Sequence, residues 1–272
     1  MIQEFFERTE VFTSIMADPK YKAFTYNKLP MLGVTKITGA VVPPFDKQGQ
    51  AARTAEKRRA AGEDITPEQV IAEWDRTAAI SNSKGDAVHA YLEALMNNKF
   101  CRYPAEAVMK KFNGDDPVRV KYDKIVSQVL AFREQIRGKM IPVASEMVIG
   151  SPKYMVCGMV DQVFWNKKAQ AFQIWDWKTN TKFEMSSKYP LLDPVAHLSN
   201  CKYDEYSLQL ALYKKMFTEE TGIPIGDCYI CWFSEDQPTH NIFRAKELSN
   251  EATLLLEKSL RDRGMTQAGE VF

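Results

Sequence analysis

The run V-D-Q-V-F-W-N-K-K-A-Q-A-F-Q-I-W-D-W-K, residues 160–178, decides the fold of this chain. Two stretches rich in β-branched and aromatic residues flank the polar turn signal N-K-K-A, residues 166–169, which predicts a β-hairpin. With residues 166–169 as the loop, we predict that Asp161 lies opposite Ile174, with Asp176 as its diagonal neighbour on the same face. A register shifted by one residue would put the two carboxylates on opposite faces.

Lys178 follows Asp176 by two residues, and strand residues two apart point to the same face. The hairpin therefore predicts a cluster of Asp161, Asp176 and Lys178. Two close carboxylates repel unless a cation lies between them, and such oxygen ligands suit Mg²⁺ or Mn²⁺. A lysine there can stabilise a phosphoryl transition state, or orient and deprotonate a water. The alternative is a solvated surface ion pair. Trp175 and Trp177 argue against it, because buried charges are rarely left unpaired.

The part of the chain before residue 140 has mainly helical signals. T-P-E-Q at 66–69 combines capping-box spacing with a proline at the first helical position, and predicts a helix that runs to a break at S-N-S-K-G, 81–85. A second helix is predicted directly after that break. Another begins at Asp116-Pro117 and ends near Gly138.

Beyond residue 140 the signals become mainly those of strands, which are predicted at 142–149, 154–165, 171–178, 227–233 and 241–245. Helices are predicted at 206–217 and 251–260. This order predicts an α/β fold with a mixed central β-sheet flanked by helices, and an N-terminal helical lobe. We predict one compact unit with two regions, the lobe of residues 1–140 and the sheet core of residues 141–272.

Composition excludes several function classes. The 272 residues are 45% hydrophobic with a net charge of +1, so a nucleic-acid partner would need a local basic patch. There is no secretory signal pattern and no apolar run near the roughly 18 residues that a membrane span needs. The five cysteines form no disulfide framework. A reduced, cytoplasmic location without a membrane partner is predicted. Without a P-loop or a G-x-S-x-G elbow, nucleotide-driven work and serine hydrolysis lack support.

Four motifs stand in an order and spacing that resemble the RecB-type branch of the PD-(D/E)XK nuclease superfamily: G-D-A-V-H at 85–89, G-M-V-D at 158–161, I-W-D-W-K-T at 174–179 and Q-L-A-L-Y at 209–213. The chain looks most like phage-type exonucleases and the mitochondrial genome-maintenance exonuclease. The resemblance implies a restriction-endonuclease-like core and a metal-dependent DNA exonuclease that prefers single-stranded ends or flaps. Such enzymes act in replication, recombination or repair, alongside proteins of those pathways.

The resemblance also implies the ligands of the metal. His89, Asp161, Asp176 and the backbone carbonyl of Trp177 would hold one or two Mg²⁺ or Mn²⁺ ions, while Lys178 activates the attacking water. The alternative for His89 is a core histidine, because it lies beside an apolar helix stripe.

Three further polar residues match positions of the same branch. Gln209 and Tyr213 share one helix face and would border the site, although they could equally be a polar edge on an apolar helix. Glu146 matches a recurrent acidic position, and either a second metal role or a structural salt bridge would explain it.

A basic helical face with Arg53, Lys57 and Arg58, together with Lys84 and Lys182 near the motifs, is a candidate for following a phosphate backbone. A charge run of this kind is also compatible with plain solvated surface. Aromatic side chains near the motifs are candidates for stacking on unpaired bases: Trp177, Phe183 and Tyr189.

The pair C-Y-I-C at 228–231 invites an iron–sulfur or zinc interpretation, but such a cluster needs four thiolates. Strand residues three apart face opposite sides, and Cys101 and Cys201 are not spaced to complete a set, so no iron–sulfur cluster is expected. Two rival functions remain open. One is an inert nuclease fold kept as a DNA-binding or assembly subunit, and the other is a structure- or sequence-specific endonuclease.

Overall fold

A computed structural model of the chain describes residues 1–18, 23–97 and 116–265. Its helices are α1 (Ile2–Thr9), α2 (Val34–Gly39), α3 (Lys47–Ala60), α4 (Pro67–Met96), α5 (Asp116–Ile136), α6 (Lys202–Thr221) and α7 (Ser249–Asp262). Its strands are β1 (Ile15–Asp18), β2 (Ala23–Tyr26), β3 (Leu29–Pro30), β4 (Leu32–Gly33), β5 (Met140–Ser151), β6 (Val156–Asn166), β7 (Ala171–Lys178), β8 (Tyr229–Trp232) and β9 (Asn241–Arg244). Within these ranges, every helix is too short or too polar to cross a membrane.

A six-stranded mixed sheet forms the centre of the fold. β5, β6 and β7 are successive antiparallel neighbours, β7 pairs with β8 in parallel, and β9 closes the far edge antiparallel to β8. The short β4 adds a parallel pairing to the start of β6. The predicted α/β fold with a mixed central sheet and flanking helices is confirmed.

Both faces of the sheet are covered, so β7 is buried along nearly its whole length. One core combines the sheet with α1, α2, α6 and α7 and includes Ile174. The other core is aromatic, combines the sheet with α4 and α5, and includes Trp175 and Trp177. Asp176 shares the face of Ile174 because side chains alternate along a strand. The two tryptophans are therefore the structural anchor of the strand that carries Asp176.

The hairpin of β6 and β7 forms, but the predicted register is wrong by two residues. Ile174 pairs with Val163 rather than with Asp161. The loop comprises residues 167–170, because the side-chain oxygen of Asn166 accepts hydrogen bonds from two backbone N–H groups of the loop, at 3.0 Å each. Asn166 thus stays in the strand. A shift of two residues preserves the faces, so both aspartates remain on one side.

The helix predicted to begin at Thr66 does so, with both hydrogen bonds of the capping box to Gln69. The predicted break at 81–85 is wrong, because α4 runs without interruption through it to Met96. Gly85 serves close packing here rather than a turn: a Cβ at this position would lie 3.3 Å from Thr179 Oγ1 of the segment after β7. The glycine therefore lets α4 approach the end of the sheet.

The N-terminal region is less purely helical than the sequence predicts. β1, β2 and β3 form a small antiparallel sheet, and β4 joins the central sheet. Strands of two to four residues are too short for the alternation of apolar and polar residues to be recognised in the sequence. The division of the chain at residue 140 stays a prediction.

Candidate metal centre

Three carboxylates lie in one row across neighbouring strands. In the β5–β6 ladder, the pairs before and after Glu146 place it opposite Asp161. In the β6–β7 ladder the final pair is Gln162 with Trp175, and the same register sets Asp161 opposite Asp176. Strand pairing alone therefore brings together three acids that are far apart in the sequence.

The backbone hydrogen bonds between β6 and β7 are interrupted at Asp161. The backbone N–H of Trp177 donates a hydrogen bond to Asp161 Oδ2 at 2.5 Å, in place of a backbone acceptor on β6. The other oxygen, Oδ1, lies 3.3 Å from His89 Nδ1. The carboxylate is thus fixed by one oxygen, while the second faces the histidine.

His89 reaches this row from α4, as the resemblance to the nuclease branch implied. Ligand atoms of His89, Glu146 and Asp161 all lie within 4.8 Å of one another, and the three residues are half-buried. One imidazole nitrogen and two carboxylate oxygens at this spacing can contact a single cation. Oxygen and imidazole donors suit Mg²⁺ and Mn²⁺, so these residues fit the predicted metal.

Glu146 occupies the left-handed region of backbone conformation, with φ of 48°. A non-glycine residue there costs about 1–3 kcal/mol, and such strain concentrates at functional sites. Burial, and then the charge of Asp161, raise the pKa of Glu146 to about 7. A cation between Glu146 and Asp161 would remove the repulsion that raises this pKa.

Asp176, predicted as a metal ligand, has a different closest partner. Its Oδ2 lies 2.6 Å from Lys178 Nζ, and it is not one of the three residues whose ligand atoms converge. Burial raises the pKa of Asp176, although Lys178 opposes the effect. Burial also acts against the charged form of Lys178, but Asp176 and Asp161 outweigh it and raise the pKa of the lysine. The predicted cluster of two aspartates and a lysine is thus present, with Glu146 nearer the possible metal than Asp176.

His89 and Asp161 stabilise each other's charged forms. Burial acts against a charge on His89, but Asp161 outweighs it, so the pKa of the histidine is raised. Burial likewise opposes the carboxylate of Asp161, yet His89 and then Lys178 lower its pKa. A bound cation would replace the proton of His89 as the counter-charge of Asp161.

An open cleft of about 750 Å³ gives access to the centre. One wall is the middle of α4, including Asp86 and Glu93, and the other is the segment that follows β7, including Thr179 and Asn180. The backbone carbonyl of Trp177, which also lines the cleft, stays a predicted ligand.

Gln209 and Tyr213 lie on α6 but do not line this cleft. Gln209 hydrogen-bonds the phenol of Tyr213, whose pKa is raised by burial. The phenol packs against β6 at Gly158, where a Cβ would lie 2.5 Å from Tyr213 Oη. The residue of α6 that does line the cleft is Tyr206, which sequence reasoning missed. The sequence feature that could have indicated Tyr206 is its position three residues before Gln209, on the same helix face.

Two of the predicted DNA-binding residues are engaged in ion pairs. Lys84 is 4% exposed, with Nζ at 2.7 and 3.0 Å from the two carboxylate oxygens of Glu235. Arg58 pairs with Glu63 and Glu73 at 2.7 and 2.6 Å. Lys84 therefore projects from α4 into a buried ion pair with Glu235 and is not a surface contact.

Arg53 and Lys57 are exposed on α3, and Lys182 is exposed after β7. α3 packs on the N-terminal half of α4, in a small core that includes Trp74. From Trp74 to His89, α4 rises by roughly 20 Å at 1.5 Å per residue. Arg53 and Lys57 are therefore remote from the cleft, whereas Lys182 lies two residues after Asn180, which lines it.

The three aromatic candidates for base stacking also differ in how exposed they are. Trp177 is 2% exposed within the aromatic core, so the prediction that it stacks on bases is wrong. Phe183 stacks on Phe243 at 4.6 Å, and Tyr189 is 60% exposed. Only Tyr189 of the three is broadly accessible.

Cys228 and Cys231 lie in the cores on opposite faces of the sheet, as the spacing predicted. Cys201 is buried, and Cys101 lies outside the described residues. Cys228, directly before β8, and Cys231, within β8, are therefore parts of the packing.

No family model and no curated protein sequence matches this chain. Among solved structures, a candidate exonuclease from Eubacterium rectale is similar at a TM-score of 0.40 and 13% identity, covering 67% of this chain and 65% of that protein. The structure of SSO0001 is similar at a TM-score of 0.34 and 11% identity, covering 97% of this chain and 87% of that one. Likenesses this low assign no activity, so function rests on the cleft.

Proposed function

We propose that this chain is a metal-dependent nuclease that hydrolyses phosphodiester bonds in DNA. The observation that carries the proposal is the convergence of His89, Glu146 and Asp161 within 4.8 Å of one another, with the Asp176–Lys178 pair in the same row. A histidine and a row of carboxylates with one adjacent lysine suit phosphoryl chemistry. This set contains no serine, threonine or cysteine that could serve as the nucleophile of acyl transfer.

Charge supports a requirement for metal. Among the described residues that line the cleft, four are carboxylates, Asp86, Glu93, Glu146 and Asp161, and one is a lysine, Lys178. A phosphodiester brings further negative charge into this partly buried space, where repulsion is poorly screened. The substrate is therefore expected to bind productively only when cations occupy the acidic row.

The chain's own residues define the chemistry. Lys178, as an ammonium, donates a hydrogen bond to a phosphoryl oxygen or to the attacking water, and stabilises the charge that develops in the transition state. Asp161 is held rigid by the backbone N–H of Trp177, so its second oxygen keeps its direction. Bound Mg²⁺ or Mn²⁺ would supply Lewis acidity at the phosphate. Water adds to phosphorus as the P–O3′ bond breaks, which leaves a 5′-phosphate and a 3′-hydroxyl.

The finer assignment extends the proposal. We propose an exonuclease that prefers single-stranded ends or flaps, acts in the cytoplasm, and works with replication, recombination or repair proteins. The sequence motifs support this assignment. Lys182 and Tyr189, exposed in the segment after β7, offer a charge and a ring for an unpaired strand.

The test uses the purified chain with end-labelled linear DNA, single- and double-stranded, and with closed circular DNA. We expect cleavage of linear DNA in Mg²⁺ or Mn²⁺, binding without turnover in Ca²⁺, and no cleavage in excess chelator. Iron chelators should change nothing. Full activity without divalent cations would remove the metal proposal.

The circular substrate separates the rival functions. Nicking of circles would identify an endonuclease, and DNA binding without any cleavage in both metals would favour an inert subunit. Retention of both aspartates and the lysine argues against the inert subunit, since a chain that no longer cleaves has no catalytic need for them.

A further inference from the structure

Lys178 is held from two sides. Asp176 Oδ2 lies 2.6 Å from its ammonium, and the ring of Tyr206 has its centroid 4.4 Å from the same nitrogen. The lysine side chain is only 17% exposed. A cation over an aromatic face interacts more strongly when it is desolvated, so the ring is a substantial partner here.

The two partners differ in what a metal does to them. Asp176 lies in the row of carboxylates, opposite Asp161, so a cation bound in that row attracts its charge as well. Its hold on Lys178 then weakens. The ring of Tyr206 carries no net charge and loses nothing to the cation. In the metal-loaded site, Tyr206 is therefore the partner that keeps the ammonium in place.

Tyr206 is itself fixed. It comes from α6, its hydroxyl lies 3.4 Å from Asn180 Oδ1, and its ring packs 6.0 Å from that of Phe183. Asn180 belongs to the wall of the cleft, and its backbone carbonyl accepts a hydrogen bond from the Trp232 side chain at 2.7 Å. The ring is thus fixed by its place on α6 and by contacts to Asn180 and Phe183 of the segment after β7.

We propose that Tyr206 is a positioning residue for Lys178: its aromatic face holds the lysine ammonium toward the scissile phosphate when the metal is bound. The proposal rests on the proposed nuclease role of Lys178. It makes the aromatic face essential and the hydroxyl secondary.

The same helix supplies a matched control. Tyr203, one turn earlier on α6, lies under Lys246 Nζ at 5.5 Å, outside the cleft. The pair has the same chemistry and the same helix, and Lys246 pairs with Asp204 rather than with a carboxylate of the acidic row. Tyr203 also packs 6.4 Å from the ring of Phe183, which supports Tyr206. Tyr203→Leu therefore reports the cost of losing a tyrosine–lysine contact and this shared packing without removing a direct partner of Lys178.

The experiment compares Tyr206→Leu, Tyr206→Phe and Tyr203→Leu in single-turnover DNA cleavage with Mn²⁺. We expect Tyr206→Leu to lower the maximal rate by about tenfold, the scale of one desolvated cation–π contact, with KM within about twofold. Tyr206→Phe should recover most of the rate, because the ring remains. Tyr203→Leu should leave it unchanged.

A second readout does not depend on cleavage. Acetic anhydride labelling followed by peptide mapping should modify Lys178 several-fold faster in Tyr206→Leu than in the native chain, because the ring no longer covers the amine. Tyr206→Phe should label at the native rate, and Tyr203→Leu should affect Lys246 alone. Tyr206→Met replaces Tyr206→Leu if the latter fails to fold.

The proposal is overturned by native rates and native labelling of Lys178 in Tyr206→Leu. It is equally overturned if Phe is as damaging as Leu, which would give the role to the hydroxyl, or if only KM changes, which would make Tyr206 a substrate contact. A native chain that cleaves no DNA would instead remove the proposed function, and the labelling would still decide whether Tyr206 holds Lys178.

Discussion

Two buried lysine–carboxylate pairs lie near the cleft and differ in what surrounds them. Lys178 and Asp176 are 2.6 Å apart, with side chains 17% and 7% exposed, and the lysine lines the open cleft. Lys84 and Glu235 are 2.7 Å apart, with both side chains 5% exposed, and they tie α4 to the segment after β8. Distance and charge are nearly the same in the two pairs.

The difference shows that access, and not pairing, distinguishes the lysine proposed to act in catalysis from the one that does not reach the cleft. The sequence predicts a functional role for both lysines, since both stand near motifs. Lys178 lines the open cleft, in which a phosphate can sit, whereas Lys84 is only 4% exposed. The sealed pair, Lys84 with Glu235, is expected to contribute only to folding, because both side chains are just 5% exposed.

The largest expected effect is on cleavage. Asp176→Asn and Lys178→Ala should each reduce the cleavage rate by on the order of a thousandfold or more while DNA still binds, because their charges act mainly in the transition state. Rates are measured in single turnover and binding by fluorescence anisotropy. If Lys178→Ala cleaved within about tenfold of the native chain, Lys178 would have no larger role in cleavage than is expected of Lys84.

The sealed pair should show the opposite pattern. Lys84→Met leaves the buried Glu235 carboxylate without this ammonium and should lower the free energy of unfolding by about 3–5 kcal/mol. Cleavage by the fraction that is still folded should stay within a few-fold. The measurement is urea unfolding followed by tryptophan fluorescence.

A double variant provides the control for Lys84. Lys84→Met with Glu235→Leu should regain much of the lost stability, because apolar replacement of a buried ion pair is often neutral. A thousandfold loss of cleavage in a stable double variant would place Lys84 in the chemistry instead.

His89 tests whether the helix contributes to the metal or only to packing. His89→Ala should raise the Mn²⁺ concentration for half-maximal binding by about tenfold or more, and extra Mn²⁺ should partly restore cleavage. Because Asp161 raises the pKa of His89, metal affinity should fall as pH falls through that raised value. Mn²⁺ titration by electron paramagnetic resonance measures both effects. A lowered melting temperature with an unchanged midpoint of the Mn²⁺ titration would show that His89 acts only in packing.

The smallest effect concerns the pH dependence of stability. The pKa of Glu146 is raised to about 7 from an ordinary value near 4.5, so the folded chain binds this proton more tightly than the unfolded chain. Stability without metal should therefore fall as pH rises from about 4.5 through 7, by a few degrees in melting temperature. Glu146→Gln should reduce this slope, and the part that remains should reflect Asp176, whose pKa burial raises to about 6. Saturating Mn²⁺ should reverse the slope. A native profile that is flat in chelator would contradict the crowding of the acidic row.

Much of the fold was predictable because it depends on local signals. The capping box at Thr66, the turn after Asn166 and the alternation around Trp175 each act within a few residues. The break predicted at 81–85 failed, because polar and glycine residues that usually end a helix serve buried contacts here. Local chemistry could not reveal those contacts.

The sequence by itself determined that Asp176 and Lys178 share one strand face, since side chains alternate along a strand. It also predicted Asp161 on that face, through a hairpin register that differs by two residues from the one in the structure. Only the tertiary structure decided that Glu146 converges with His89 and Asp161, that Lys84 is sealed, and that Tyr206 rather than Tyr213 reaches the lysine. These outcomes depend on how segments distant in the sequence approach one another, and on which buried charge finds which partner. Neither is encoded within a short window of the chain.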